Sequence, residues 1–284
     1  MNILKVDYQA KNAPVLFAQS LRDTGFSVIT NHGVAMERIN KLYMQWTAFF
    51  NSDTKQNYLV DPNNQEGYVP PDIAEVAKGF TVRDLKEFYN FYPWGKCPAE
   101  LRDLTLEIQQ TLKNIAVTLL HWLQQQTPDK VKKNFSMPLP DMLNDSKRTL
   151  FRLNYYPPLT GSEEVGAVRA AAHGDINLLT VLTAATQSGL QAQDTNGEWY
   201  DVPCDPGNLV INAGDMLQEC SDGYYCSTTH RVLNPFGESA KKSRMSCPLF
   251  LHPQDDVVLS ERHTAKTYLH ERLVELGLIK QDVA

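Results

Sequence analysis

Thr149-Leu150-Phe151-Arg152-Leu153-Asn154-Tyr155-Tyr156 is a short run of alternating apolar and polar residues, the pattern of a half-buried β-strand. Similar runs follow at Asn177–Ala184, Gly189–Gln193, Asn208–Asn212, Thr228–Asn234 and Met245–His252. Turn residues such as Thr195-Asn196-Gly197 and Asp205-Pro206-Gly207 lie between them. Strands this short and evenly spaced, without parallel-sheet crossovers, predict a sandwich or jelly roll.

Upstream of this β region the texture is helical. Pro14 opens a helical pattern through Arg22, Gly25 breaks it, and Phe26–Ile29 reads as a strand. Met36–Phe50 is an amphipathic helix, with Ile39, Leu42, Tyr43, Trp46 and Phe50 at helical spacing. The longest helix is predicted over Ala99–Gln126, its stripe running Leu101, Leu104, Ile108, Leu112, Ile115, Leu119 and Leu123. Asn63–Asp84 reads as a surface loop, and a closing helix over Thr264–Leu276 ends near Gly277. Helices first, a β core next and one returning helix predict a single α+β domain spanning 1–284. It divides into a mostly helical part (1–147), a β core (148–253) and a C-terminal helix (254–284).

Composition excludes several classes. With 284 residues, 42% apolar and 21% charged, the chain has the balance of a globular protein with a sizeable core. Its net charge of −6 argues against nucleic acid as a partner. No run of 18 apolar residues suggests a membrane span, and Lys5, Asp7 and Lys11 interrupt the stretch where a secretory leader would be apolar. The five cysteines are scattered without a C-x-x-C pair, so a reducing cytoplasm is expected.

Chemistry concentrates in Ala172-His173-Gly174-Asp175-Ile176-Asn177-Leu178-Leu179. In an extended chain, residues two apart face the same side, so His173 and Asp175 could present an imidazole and a carboxylate to one ion. Glycine between them leaves the opposite face bare. Chance alone supplies roughly half a His-x-Asp pair in a chain of this composition, so the pair is weak without its context. A further histidine, His230, lies in Thr228–Asn234, and Arg244-Met245-Ser246 follows. Two histidines and a carboxylate make the facial set that leaves three positions open on non-haem Fe(II). Arg244 and Ser246, also two apart, suit a carboxylate through a two-donor fork and a hydroxyl.

Taken in order, these stretches resemble the Fe(II)- and 2-oxoglutarate-dependent oxygenases, in the branch of isopenicillin N synthase, flavonoid synthases and gibberellin oxidases. The matching blocks are Gly25-Phe26 with Asn31-His32-Gly33-Val34, Arg152–Pro158 and His173-Gly174-Asp175. They continue through Gly189-Leu190-Gln191, Gly197-Glu198-Trp199, Asn212–Gln218, Thr229–Val232 and Arg244-Met245-Ser246, covering nearly the whole chain.

The resemblance implies a double-stranded β-helix, or jelly roll, flanked by the N-terminal and long central helices. It implies Fe(II) on His173, Asp175 and His230. It also implies the far carboxylate of 2-oxoglutarate on Arg244 and Ser246, with Asn154 and Tyr156 reaching that co-substrate from the opposite side. The implied reaction uses O2, decarboxylates 2-oxoglutarate to succinate and hydroxylates or desaturates a small molecule. The ligating imidazoles are expected to give their second N–H to a fixed partner.

Gly174 departs from the small or polar residue common in relatives, a harmless change. A Gly237–Ala240 loop is expected to crowd or cover the site, and Leu249-Phe250 stand where relatives carry paired phenylalanines. His32 reads as a turn residue, and His121, His263 and His270 as helix surface or packing residues. His252, Arg83, Tyr89, Arg152 and Arg169 are secondary pocket candidates, and the aromatic cluster at Phe88–Trp94 reads first as core or rim. Three other readings stay open: an iron and O2 oxidase without 2-oxoglutarate, a non-catalytic sensor on this fold, and a zinc hydrolase. The last usually carries H-E-x-x-H on a helix, which this chain does not show around His173. No residue pattern speaks to the oligomeric state or to the substrate.

Overall fold

The computed structural model describes residues 1–73 and 82–277. Helices α1 (Ala13–Thr24), α2 (Met36–Phe50) and α3 (Ala99–Gln126) precede most of the strands; two short ones, α4 (Asp129–Lys132) and α5 (Asp215–Cys220), and a closing α6 (Ala265–Glu275) follow. The strands are β1 (Lys5–Asp7), β2 (Phe26–Thr30), β3 (Gly67–Val69), β4 (Glu87–Phe91), β5 (Leu150–Tyr156), β6 (Ala170–His173) and β7 (Leu179–Thr183). They continue as β8 (Leu190–Gln193), β9 (Trp199–Asp201), β10 (Leu209–Ala213), β11 (His230–Val232), β12 (Arg244–Ser246) and β13 (Pro248–Leu251). The larger sheet runs β1-β2-β10-β7-β13-β5-β4-β3, with β12 also on β5; the smaller runs β6-β11-β8-β9. Two sheets with helices on one outer face make the expected jelly roll.

Strand alternation sorts the larger sheet into two faces. Val181 of β7, Leu153 and Tyr155 of β5, Ile211 of β10, Met245 of β12 and Leu249 of β13 join the core that holds α1, α2 and α3. Their neighbours Thr180, Arg152, Asn154, Asn212, Arg244, Ser246 and Phe250 face the smaller sheet and line a pocket. Period two along each strand therefore places a polar set on the inner wall while an apolar set seals the back. Val28, Ala170, Leu190, Ala192, Val210 and Val232 close the space between the sheets.

All seven predicted stripe residues of α3 are buried, and α3 begins and ends where the periodicity does. Gly25 caps α1 with φ of 69°, and a Cβ there would meet the Cys226 carbonyl and the Thr228 side chain, so both conformation and space require glycine. Two expectations need correction, on the Asn63–Asp84 loop and on the backbone at Asp175, and one, the core or rim reading of the aromatic segment, holds. The Asn63–Asp84 loop contains β3, and its part at 74–81 lies outside the described residues. The aromatic segment Glu87–Phe91 is a strand, and all five of its residues are buried. His173 ends its strand, so Asp175 sits in the connection to β7 and not on extended chain. Among the described residues no helix is long and apolar enough to cross a membrane.

Candidate functional site

Pairing of β6 with β11 sets His173 directly opposite His230, with ring centroids 4.4 Å apart. The ladder is irregular between His230 and Val232, and such bulges re-aim side chains at the edges of sites. Asp175 Oδ1 lies 3.9 Å from His173 Nε2 and 3.7 Å from His230 Nε2. These separations are too long for hydrogen bonds, so the three donor atoms converge without bonding one another. All three lie within 4.8 Å of one another.

The outer atoms of each group are fixed. His173 Nδ1 is 2.7 Å from the Ala171 carbonyl and His230 Nδ1 is 3.1 Å from the Thr228 carbonyl. A carbonyl only accepts, so both Nδ1 atoms carry the proton and both Nε2 lone pairs point inward. The expected fixed partners are thus backbone carbonyls two residues upstream. Asp175 Oδ2 accepts from Thr180 Oγ1 and from Asn212 Nδ2 at 2.8 Å, leaving Oδ1 for the centre. Burial opposes the charged carboxylate, yet the two imidazoles and these two donors outweigh it and hold Asp175 below its ordinary range. Burial first and His230 second push His173 down to about 4, so its imidazole is neutral at pH 7. Two imidazoles with Nε2 turned inward and one carboxylate suit Fe(II) and leave positions open for other ligands.

Gly174 has a steric reason. A Cβ there would lie 3.2 Å from Ser227 Oγ and 3.3 Å from Asp215 Oδ1, so the face read as bare is where α5 and its following loop approach. Thr180 and Asn212 escaped the sequence reading. Their one signal was a polar side chain inside an apolar strand, as Asn212 is in Leu-Val-Ile-Asn-Ala. Asn212→Ala should weaken Fe(II) binding by about 10–100-fold, the usual cost of losing a partner behind a metal ligand. An anaerobic titration checks this, and unchanged affinity would mean that the bond to Asp175 does not orient it.

A second group of polar residues meets the first in the same pocket. The β5–β12 register pairs Tyr156 with Arg244 and Asn154 with Ser246. Arg244 is 2% exposed; its Nε donates to the Gln187 carbonyl at 3.1 Å and its guanidinium lies 4.9 Å from the Tyr156 ring centre. Arg244 Nη1 and Asn154 Oδ1 are buried without a hydrogen-bond partner among the described residues. A buried guanidinium nitrogen without an acceptor costs free energy until something accepts from it. Phe26, Leu182, Leu190, Val232 and Phe250 supply apolar walls around these groups and the His173-Asp175-His230 cluster.

Of the secondary candidates, Arg152 lines this pocket, with Nε on Asn90 Oδ1 at 3.0 Å and its guanidinium 4.2 Å over Phe88. Arg83 and His252 are not among the described lining residues. Tyr89 belongs to the core, its hydroxyl donating to the Lys96 carbonyl. Arg169 is fully buried and does not sit at a mouth. The Gly237–Ala240 turn is not among the described residues that line the pocket. Phe250 faces the pocket and Leu249 the helical core. His32 is a satisfied turn residue between the Gly207 carbonyl and the Val34 N–H. His263 precedes α6 and is buried, a correction to its expected helical position.

Comparison with known proteins bears on both groups. The family model of the 2OG-Fe(II) oxygenase superfamily matches residues 148–253, and that of the non-haem dioxygenase N-terminal region (in morphine synthesis) matches 12–110. A Shewanella oneidensis protein assigned as an oxygenase is 48% identical; 98% of this chain and 100% of that one align with a TM-score of 0.88. A gibberellin 2-beta-dioxygenase of Phaseolus coccineus is 29% identical over 87% of this chain and 76% of its own length. A full-length Neurospora crassa protein, solved in complex with alpha-KG, shares the fold at 19% identity and a TM-score of 0.77, over 95% of each chain.

Proposed function

Because the chain belongs to the 2OG-Fe(II) oxygenase superfamily, we propose that His173, Asp175 and His230 hold Fe(II) and that Arg244, Ser246, Asn154 and Tyr156 receive 2-oxoglutarate. The enzyme is an Fe(II)- and 2-oxoglutarate-dependent dioxygenase acting on a small molecule. One observation carries the assignment: an inward-facing His-Asp-His set and a buried guanidinium lacking an acceptor share a single pocket.

Iron with O2 and 2-oxoglutarate supplies the oxidising power, the co-substrate leaving as succinate and CO2. The chain's own residues bind and orient. His173 and His230 each turn Nε2 inward, their rings held through Nδ1 by the Ala171 and Thr228 carbonyls. Asp175 arrives ionised and supplies the one negative charge of the ligand set. Arg244 offers a charge-assisted donor to the far carboxylate of the co-substrate, and Ser246 stands beside it on β12. Phe26, Leu182, Leu190, Val232 and Phe250 exclude water and so strengthen these polar contacts. Arg152, Lys86 and Phe250 line the same pocket and are proposed as part of the wall that meets the small-molecule substrate.

The test is anaerobic addition of 2-oxoglutarate to the Fe(II) protein, followed by admission of air. A visible chelate absorption and slow succinate release without any added substrate are expected. A protein that binds iron but gives neither signal at millimolar 2-oxoglutarate is instead an oxidase that draws its electrons from the substrate.

A further inference from the structure

A second guanidinium stands behind Arg244. Arg169, just before β6, has no exposed surface; its Nη1 donates to Gln187 Oε1 at 2.8 Å and its Nη2 to the Lys242 carbonyl at 3.0 Å. Its Nε is buried without an acceptor among the described residues. Gln187 joins the two arginines: its backbone carbonyl accepts from Arg244 Nε, and its side-chain carbonyl accepts from Arg169. The Gln187 amide in turn donates to the carbonyls of Lys242 and Ser243 at 3.2 and 3.0 Å.

Among the described residues every acceptor of either arginine is neutral, and neither forms an ion pair. Burial first, and Arg244 second, bring Arg169 down to about 10, still charged at pH 7. Two buried like charges without a counter-ion are costly. A carboxylate delivered to Arg244 would offset both.

We propose that Arg169 is a positioning residue for the co-substrate: through Gln187 it holds the Arg244 guanidinium, and its own charge makes the site demand an anionic far end on the 2-oxo acid. This rests on the reading of Arg244 given above. A purely mechanical role, tying residue 187 to residue 242, would make no such demand.

The two roles separate when 2-oxoglutarate and its 5-methyl ester, neutral at the far end, are titrated anaerobically into the Fe(II) protein by chelate absorption. Arg169→Met should bind 2-oxoglutarate about tenfold more weakly or worse, the order expected for one buried charge acting across several ångströms. Its affinity for the ester should stay near the wild-type value, and Arg169→Lys should regain most of the preference for the dianion. Arg169→Gln keeps hydrogen-bonding capacity without charge and serves as the neutral variant if Met does not fold. Equal losses on both ligands, or a Lys variant no better than Gln, would overturn the proposal, as would neutral variants with an unchanged preference. If the wild type shows no chelate with either 2-oxo acid, the co-substrate reading itself fails; if the wild type binds and only the preference is unaffected by Arg169, this inference fails alone.

Discussion

Asp175→Ala is expected to lose Fe(II) affinity by more than the 10–100-fold that an outer partner of a ligand costs. Asp175 is the one anion among the three ligand candidates, its Oδ1 3.7–3.9 Å from both histidine Nε2 atoms, so its removal leaves only two rings before a dication. The same change strands the Asn212 amide, worth about 1–3 kcal/mol when buried without an acceptor, and leaves the Thr180 hydroxyl only the longer contact to Asn177 Oδ1 at 3.4 Å. Asp175→Asn keeps the shape and loses the charge, and should rescue little. His173→Ala should behave similarly, because Asp175 and His230 leave the set one ligand short. Anaerobic Fe(II) or Co(II) titration reads the affinity, and thermal unfolding of the metal-free variants shows that the fold persists. Full iron occupancy in either alanine variant at stoichiometric metal would overturn the ligand assignment.

Arg244→Ala should weaken 2-oxoglutarate by roughly a hundredfold or more, since removing one partner of a buried charge pair costs about 3–5 kcal/mol and each 1.4 kcal/mol is tenfold. The guanidinium is 2% exposed, so water cannot replace it cheaply. Arg244→Lys keeps the charge without the planar fork and should rescue in part. Ser246→Ala removes one hydrogen bond to a charged group and should cost about 1–3 kcal/mol. Iron affinity should hardly move in any of these, because β12 contributes no metal-ligand candidate. Chelate titration measures the first effect and metal titration the second. A wild-type-like co-substrate affinity in Arg244→Ala would remove Arg244 from the site.

What could be read from the residues depended on how far apart the cooperating ones lie. Helix α3 was legible to its ends because the seven residues of its stripe are buried against one core. Strand β4 was hidden, since a strand buried on both faces has no alternation to reveal it. Strand β3 and helix α5 are too short for any period to show. The spacing of His173 and Asp175 was a weak signal by itself, and they gained weight, as His230 did, only from the order of the surrounding blocks. Gln187, Thr180 and Asn212 act only because strand pairing and loop closure bring distant runs together, which no local pattern records. Arg169 was noticed as a cation, but its burial behind Arg244 belongs to the packing of the loops.

The facing positions of His173 and His230 in the β6–β11 ladder carry one more consequence. An ion gripped by both rings would clip together two strands that are far apart in the chain, in a small sheet whose β11 is only three residues long. Ligand binding restricted to the folded state adds stability with concentration, about 2.7 kcal/mol at a hundred times the dissociation constant. The metal-free chain should therefore open first along β6 and β11, and amide exchange at 170–173 and 230–232 should slow when iron is added. Iron supply would then govern how long each copy survives proteolysis, as well as whether it is active.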